Sequence, residues 1–257
     1  MTVLVVSNQK GGVGKTTTAI SLGAAMVERG QRVLIVDLDP QANATSGLGI
    51  SKERANGIYG VLLKERPLLE AIVPTELAGL DLVPSGPDMA GAEVELVPVM
   101  AREFRLRDAL REASGYDTVI VDCPPSLGVL TINGLTVADQ VLVPLQCEAL
   151  SHRGVAQLLE TIDDVRLFAN PALTVRGIIA TMYDGRTRHS RAILDDVRSR
   201  YGLNMLDPPV PKSVRFAEAP AQGRSILRHA SSSAGAEAYR AIARTLHGDL
   251  TNDDVTT

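Results

Sequence analysis

The sequence of 257 residues predicts an α/β fold, a doubly wound, mostly parallel sheet flanked by helices. Short apolar, β-branched runs recur along the chain, as strands buried on both faces do. Stretches with helical spacing alternate with them. The first strand passes into the first helix through a glycine-rich turn.

In order, Val3–Ser7 is the first strand and ends at that turn. Thr16–Arg29 places Ile20, Leu22, Ala25 and Met26 at helical spacing, and Gly30 is suited to stop the helix. Arg32–Asp37 is the second strand, followed by candidates at Leu80–Pro84, Thr118–Asp122, Gln140–Pro144 and Val175–Thr181. Helical patterns cover about 102–113, 129–138, 152–168, 190–200 and 233–246. No repeat, linker or low-complexity segment interrupts them. The expectation is one domain over 1–249 and a polar, frayed tail at 250–257, LTNDDVTT.

Hydrophobic residues make up 45 % and charged residues 22 %, ordinary values for a soluble globular chain. No apolar run is long enough to span a bilayer. The start, MTVLVVSNQK, has no basic leader, so no signal peptide is expected. Two cysteines cannot build a disulfide framework, which points to a reducing cytoplasm.

Residues 9–18 read QKGGVGKTTT. A phosphate-binding loop follows G-x-x-x-x-G-K-[ST], and Gly14, Lys15 and Thr16 satisfy its end. Its first glycine should fall at position 9, which is Gln9, and a second lysine stands at Lys10. Gly11, Gly12 and Gly14 let the backbone of 11–14, Val13 included, curl its N–H groups toward a phosphate. The positive end of the helix beginning near Lys15, Thr16 and Thr17 adds to them. Lys15 suits the β and γ phosphates, and the Thr16 hydroxyl suits Mg²⁺. Asp37 and Asp39 follow a strand, where one carboxylate can serve a metal or lysine and another can orient water. VIVDCPPS reads as a strand ending in a metal-supporting Asp122, with Pro124 and Pro125 stiffening the loop beyond it. Cys123 is expected to be a buried, inert thiol.

KGGVGKTT (10–17), DLDPQANATSG (37–47) and VDCPPSLG (121–128) together resemble the ParA/Soj-type chromosome and plasmid partition ATPases, a group of deviant Walker A P-loop proteins. PLQCEALSHRG (144–154), TMYDGRTRHS (181–190) and PKSVRFAEAPAQGRSI (211–226) carry the resemblance over nearly the whole chain. It implies an ATPase working with ATP and Mg²⁺, with Lys10 as the signature lysine that reaches across a nucleotide-sandwich homodimer. It also implies Lys15 as phosphate lysine, Thr16 as Mg²⁺ ligand and Asp39 as the residue positioning the hydrolytic water. Asp37 and Asp122 would support the metal region, so Thr16, Asp39 and Asp122 form the expected metal set. Base contacts are implied around Met182–Tyr183 and Pro208–Pro211. The guanine motif N-K-x-D is absent, since no Asn is followed by Lys.

Residues 184–228 hold nine Lys/Arg against five Asp/Glu, on a chain of net charge −4. Such a segment can be an anion footprint or a set of solvated helix faces. The resemblance implies sequence-tolerant binding of double-stranded DNA by the ATP dimer, with Arg186 and Arg215 at its DNA-binding positions. Arg188, Arg191, Lys212, Arg224 and Arg228 are possible helpers. With no Trp and 3 % aromatics, base stacking is a poor mechanism and phosphate contact a better one. A partner similar to the centromere-binding protein ParB would stimulate hydrolysis, in a cytoplasmic, nucleoid-associated setting. His152 and His189 receive no role.

Two other readings share the loop. A MinD-like membrane ATPase needs a C-terminal basic amphipathic helix, and the end HGDLTNDDVTT is short and acidic. A nucleotide-gated transcription or replication regulator would add an N-terminal DNA-reading unit, and here the first strand starts at once.

Overall fold

The computed structural model describes residues 1–52, 57–147 and 151–252, without the side chains of 151–153, 188, 189, 191, 247 and 249–252. Seven strands form one sheet: β1 Thr2–Val6, β2 Val33–Asp37, β3 Val73–Pro74, β4 Leu80–Val83, β5 Thr118–Asp122, β6 Gln140–Gln146 and β7 Thr174–Thr181. Their order is β3-β4-β2-β5-β1-β6-β7. Every pairing is parallel except β3 with β4 at one edge.

The helices are α1 Lys15–Val27, α2 Asn43–Gly47, α3 Ile58–Lys64, α4 Leu68–Ala71, α5 Ala92–Leu96, α6 Arg105–Leu110, α7 Val129–Val137, α8 Ser151–Phe168, α9 Arg188–Tyr201, α10 Arg215–Ala221, α11 Ile226–His229 and α12 Ala234–Asn252. The period-2 geometry of a strand sends successive side chains to opposite faces. On β1, Val3 and Val5 enter the core on one face, and Leu4 and Val6 the core on the other. On β2, Leu34 and Val36 join the first core, and Val33 and Ile35 the second. Helices α3–α9 cover the first face, and α1, α2, α11 and α12 the second. Fully burying a residue such as Leu4 or Ile35 stabilises by roughly 1.5–3 kcal/mol, which is why the middles of these strands are apolar on both faces.

From β1 the chain crosses to β2 on one side, and after β5 it crosses to β6 on the other. The strand order therefore reverses at β1, and in open α/β sheets that reversal opens the ligand crevice at the strands' C-terminal ends. The glycine loop leaves β1 at that point.

The helix expected over 102–113 is divided. Arg102–Phe104 is a 3-10 turn, and α6 starts at Arg105. Asn133 of α7 spans the break: its Nδ2 donates to the Arg102 carbonyl (2.8 Å), and its Oδ1 accepts from the Leu106 N–H (3.1 Å). A buried amide thus satisfies backbone groups that a continuous helix would pair internally. At the other end α12 runs on to Asn252, so residues 250–252 are helical, while 253–257 lie outside the described residues.

Candidate nucleotide-binding site

Lys15 is the first residue of α1, and Gly14 caps the helix in a left-handed conformation, φ 88°. Gly12 is also left-handed, φ 75°, a region costly for residues with a Cβ. These two glycines let the loop turn back over the helix N-terminus with its N–H groups inward. Neighbouring strands hold the loop in place. The Thr181 hydroxyl on β7 donates to the Val13 carbonyl (2.7 Å), and Val13 is buried. Asn8 donates to the Pro144 carbonyl on β6 (2.7 Å) and accepts from the Lys10 N–H (3.0 Å).

The Lys15 side chain is buried and its ammonium donates to the Lys10 carbonyl (3.1 Å). Burial lowers its pKa, and the charges of Asp122 and Asp39 oppose the shift. That cation is held beneath the loop by its own backbone, ready to accept an anion.

Three carboxylates lie at the strand ends. Asp37 is fully buried and its oxygens are taken. Oδ2 accepts from the Thr45 N–H (2.9 Å) and hydroxyl (2.7 Å), and Oδ1 accepts from the Asp39 N–H (3.2 Å). Burial raises its pKa to about 6 against these hydrogen bonds. Asp37 therefore anchors the turn into α2, and through that turn it sets the position of Asp39. The Asp39 Oδ1 accepts from the Gln41 N–H (2.9 Å), and the residue borders the cavity.

Asp122 is fully buried, and neither oxygen has a hydrogen-bond partner at ordinary geometry. Burial first, then the charge of Asp37, push its pKa well up. The Thr16 hydroxyl counters part of the shift from close by without the geometry of a full hydrogen bond. A buried, unsatisfied carboxylate costs stability unless something compensates it. An oxygen-seeking cation such as Mg²⁺ beside Thr16 and Asp122 fits that donor set.

A cavity of about 430 Å³ opens over the loop, bounded by Gly11, Gly12, Gly14, Lys15, Thr16, Thr17 and Asp39 on the phosphate side. Its far wall comes from Phe216, Ala219, Pro220, Arg224, Ser225 and Ile226. A second hollow of about 290 Å³ continues past Gly14 and Thr17 to Met182, Pro211, Lys212 and Phe216. Phosphates and a flat heterocycle would fit the two in sequence.

The expected residues Lys15, Thr16, Thr17, Asp39 and the loop glycines thus come together at one cavity. Met182 and Pro211 border its extension, whereas Pro208, preceded by a cis peptide bond, borders neither hollow. Cys123 is buried, with its thiol pKa pushed up by burial. Arg186 is exposed beyond β7, and Arg215 opens α10, where it pairs with Glu218 (3.4 Å). A bridge between Tyr183 and Pro211 ties their two segments together. Arg224 borders the cavity and pairs with Glu76 (3.5 Å), and Arg228 donates to the Glu76 carbonyl (3.0 Å). The side chains of Arg188, Arg191, His152 and His189, and residues 148–150 of the PLQCEALSHRG stretch, lie outside the described residues. Sequence reasoning missed the α10–α11 wall and the Asp37–Thr45 anchor: both lie within the stretches 211–226 and 37–47, but each is a contact made in space that residue spacing does not show.

Comparison with known proteins places the chain in a family. Residues 1–175 match a family model described as an AAA domain. The chromosome partitioning protein ParA of Caulobacter vibrioides is 48 % identical over 246 residues, spanning 94 % of this chain and 92 % of that one. The chromosome-partitioning ATPase Soj of Thermus thermophilus is 48 % identical over 240 residues, spanning 93 % of each. The chain belongs to the ParA/Soj family of partitioning ATPases. A solved structure from Mycobacterium smegmatis, titled cobyrinic acid a,c-diamide synthase with bound ATP analog and magnesium, superposes with a TM-score of 0.87 at 47 % identity, covering 98 % of this chain and 96 % of that one. In this chain the glycine loop and Asp39 border one cavity, and Asp37 and Asp122 lie buried at the neighbouring strand ends. Among the described residues no helix is long and apolar enough to cross a membrane.

Proposed function

We propose that this chain is an ATP-driven DNA-partitioning switch. The observation that carries the reading is the convergence of Lys15, Thr16 and Asp39 on one cavity under the curled 11–14 loop, with the unsatisfied Asp122 beneath. ATP seats its phosphates on the loop N–H groups and the Lys15 ammonium. Mg²⁺, when bound, neutralises charge on the β- and γ-phosphates, and Thr16, Asp39 and Asp122 are the residues to hold it. Asp39, fixed through Asp37, orients the attacking water. The base occupies the hollow between Met182, Pro211 and Phe216.

Lys10 precedes this loop by one residue and reaches the phosphates bound by a second subunit, so that ATP locks a homodimer. The dimer doubles a modest basic surface carrying Arg186 and Arg215 and holds double-stranded DNA through phosphates, without sequence preference. A ParB-like centromere-binding partner, together with DNA, stimulates hydrolysis, and the dimer separates and releases DNA. We place the protein in the cytoplasm at the nucleoid, with residues 1–249 acting as one ATPase domain.

The test is binding to a random-sequence duplex with no nucleotide, ADP or ATP, for wild type, Lys10→Ala and Asp39→Ala. ATP-dependent binding that persists longer in Asp39→Ala and is lost in Lys10→Ala supports the switch. Binding indifferent to nucleotide would remove it and favour a synthase reaction of the kind for which the Mycobacterium smegmatis protein is named. An ATP-dependent dimer in Lys10→Ala would remove the locking role alone.

A further inference from the structure

A second cavity, of about 700 Å³, lies beside α7 and away from the glycine loop. Leu127, Val129 and Ile132 border it from α7 and the residues before, Val97 from the end of α5, and Val165 and Phe168 from the last turns of α8. Val97 is 61 % exposed and Phe168 77 %, and their neighbours Val94, Met100 and Leu167 are exposed as well. Val97 and Phe168 thus leave apolar surface uncovered on two sides of the groove, a feature associated with docking.

The charges along the groove are mostly of one sign. Glu93, Glu103 and Asp164 border it against the one cation Arg102, whose guanidinium already donates to the Val97 carbonyl (2.6 Å). Glu103 and Asp164 form no ion pair among the described residues.

The same groove touches the loop that serves the nucleotide cavity. Pro125 borders that cavity, and Leu127 and Gly128 border the groove. Between them, the Ser126 hydroxyl donates to Glu93 Oε1 (3.1 Å). Gly128 packs so tightly on that carboxylate that a Cβ would lie 2.5 Å from Oε1. The Glu93 side chain thus links α5 to the 125–128 loop.

We propose that this groove docks a basic amphipathic segment of a partner protein, and that its occupancy reaches the nucleotide site through Glu93 and the 125–128 loop. Apolar side chains of the segment cover Val97, Ile132 and Phe168, and its Lys or Arg side chains meet Glu103 and Asp164. An anionic membrane is disfavoured by the acidic rim. A second copy is disfavoured too, since a two-fold interface sets each acidic rim against its own kind. The transmission step rests on the reading of the neighbouring cavity as an ATP site, and the docking step does not.

The experiment uses the full chain, a fluorescein-labelled leucine–lysine amphipathic peptide and its leucine–glutamate counterpart. Fluorescence anisotropy should show the lysine peptide bound and weakened about tenfold in Glu103→Lys/Asp164→Lys, while the glutamate peptide gains affinity for that variant. Phe168→Ser should weaken both. Release of a fluorescent ATP analogue should change about twofold or more on peptide binding. Ser126→Ala removes the hydroxyl that donates to Glu93 without touching the groove lining, and should keep peptide binding and lose that change. Equal binding of the two peptides, or no binding, overturns the docking. So does a wild-type dimer in sedimentation that Phe168→Ser dissolves, which would make this face an interface between copies. Charge-selective docking with unaltered nucleotide release overturns the transmission. An analogue that does not bind in the absence of peptide overturns the ATP reading and the transmission with it, leaving the docking result standing.

Discussion

At the scale of single residues, the site is held by one satisfied carboxylate and one unsatisfied one. The Thr45 hydroxyl donates to Asp37 Oδ2 and accepts from the Ser85 N–H (2.9 Å), so one side chain satisfies two buried groups. Thr45→Val keeps the shape and removes both bonds. Urea unfolding should show a loss of about 2–4 kcal/mol, since a buried carboxylate and a buried amide are each left short of a partner. A loss under about 0.5 kcal/mol, the range of ordinary surface changes, would contradict that role for Thr45. Asp122 has the opposite sign. Its isolated carboxylate is a burden that ligand binding relieves, and Asp122→Asn removes the charge while keeping the volume. The ligand-free variant should melt at or above the wild-type temperature. The stabilisation that wild type gains from ATP with Mg²⁺ should largely vanish. A ligand-free Asp122→Asn protein of lower melting temperature would mean that Asp122 is structural in the first place.

At the scale of elements, the far wall of the nucleotide cavity depends on a contact between two glycines. Helices α10 and α11 supply that wall, and the Gly223 turn between them lies against Gly49 just after α2. A Cβ on Gly223 would sit 2.8 Å from the Gly49 Cα, and Gly223 has φ +65°. Gly223→Val should cost about 2–3 kcal/mol through strain and steric clash. It should also weaken nucleotide affinity, because Phe216, Ser225 and Ile226 move with the turn. Thermal melting and nucleotide titration read the two effects separately. Unchanged affinity would show that the wall does not contact the nucleotide. Within the same region Phe216 meets Tyr239 edge-on at 6.0 Å, and the Tyr239 hydroxyl hydrogen-bonds Thr18 (3.0 Å). The wall is thereby joined through α12 to α1, the helix that carries Lys15.

At the scale of the whole molecule, the charge is unevenly distributed. The chain is acidic overall, with a local basic surplus in 184–228. Duplex binding through that segment should fall steeply with salt, and Arg215→Ala should lower the slope of log affinity against log salt by about one. An anisotropy titration across salt concentrations measures this, and an unchanged slope would exclude Arg215 from the phosphate contacts. Arg215 pairs with Glu218 on an exposed face, a weak interaction that a phosphate can replace.

The parallel sheet, its six parallel strands and the phosphate loop were legible in the sequence. Strands with continuous apolar centres are stable between two layers of helices, and a glycine loop between strand and helix N-terminus presents its own N–H groups. These are local and periodic properties, legible residue by residue. Gln9, Lys10, Gly14 and Thr16 were readable for that reason. The division of labour among the aspartates came from tertiary contacts, because Asp37 and Asp122 look alike in sequence, yet Thr45 and the Asp39 N–H satisfy the first and no group at hydrogen-bond geometry satisfies the second. The tertiary structure alone brought Phe216 and Ser225 to Lys15, and set the groove beside α7 against the loop that follows Asp122. Those relations join residues distant in the chain, and no spacing in the sequence records them.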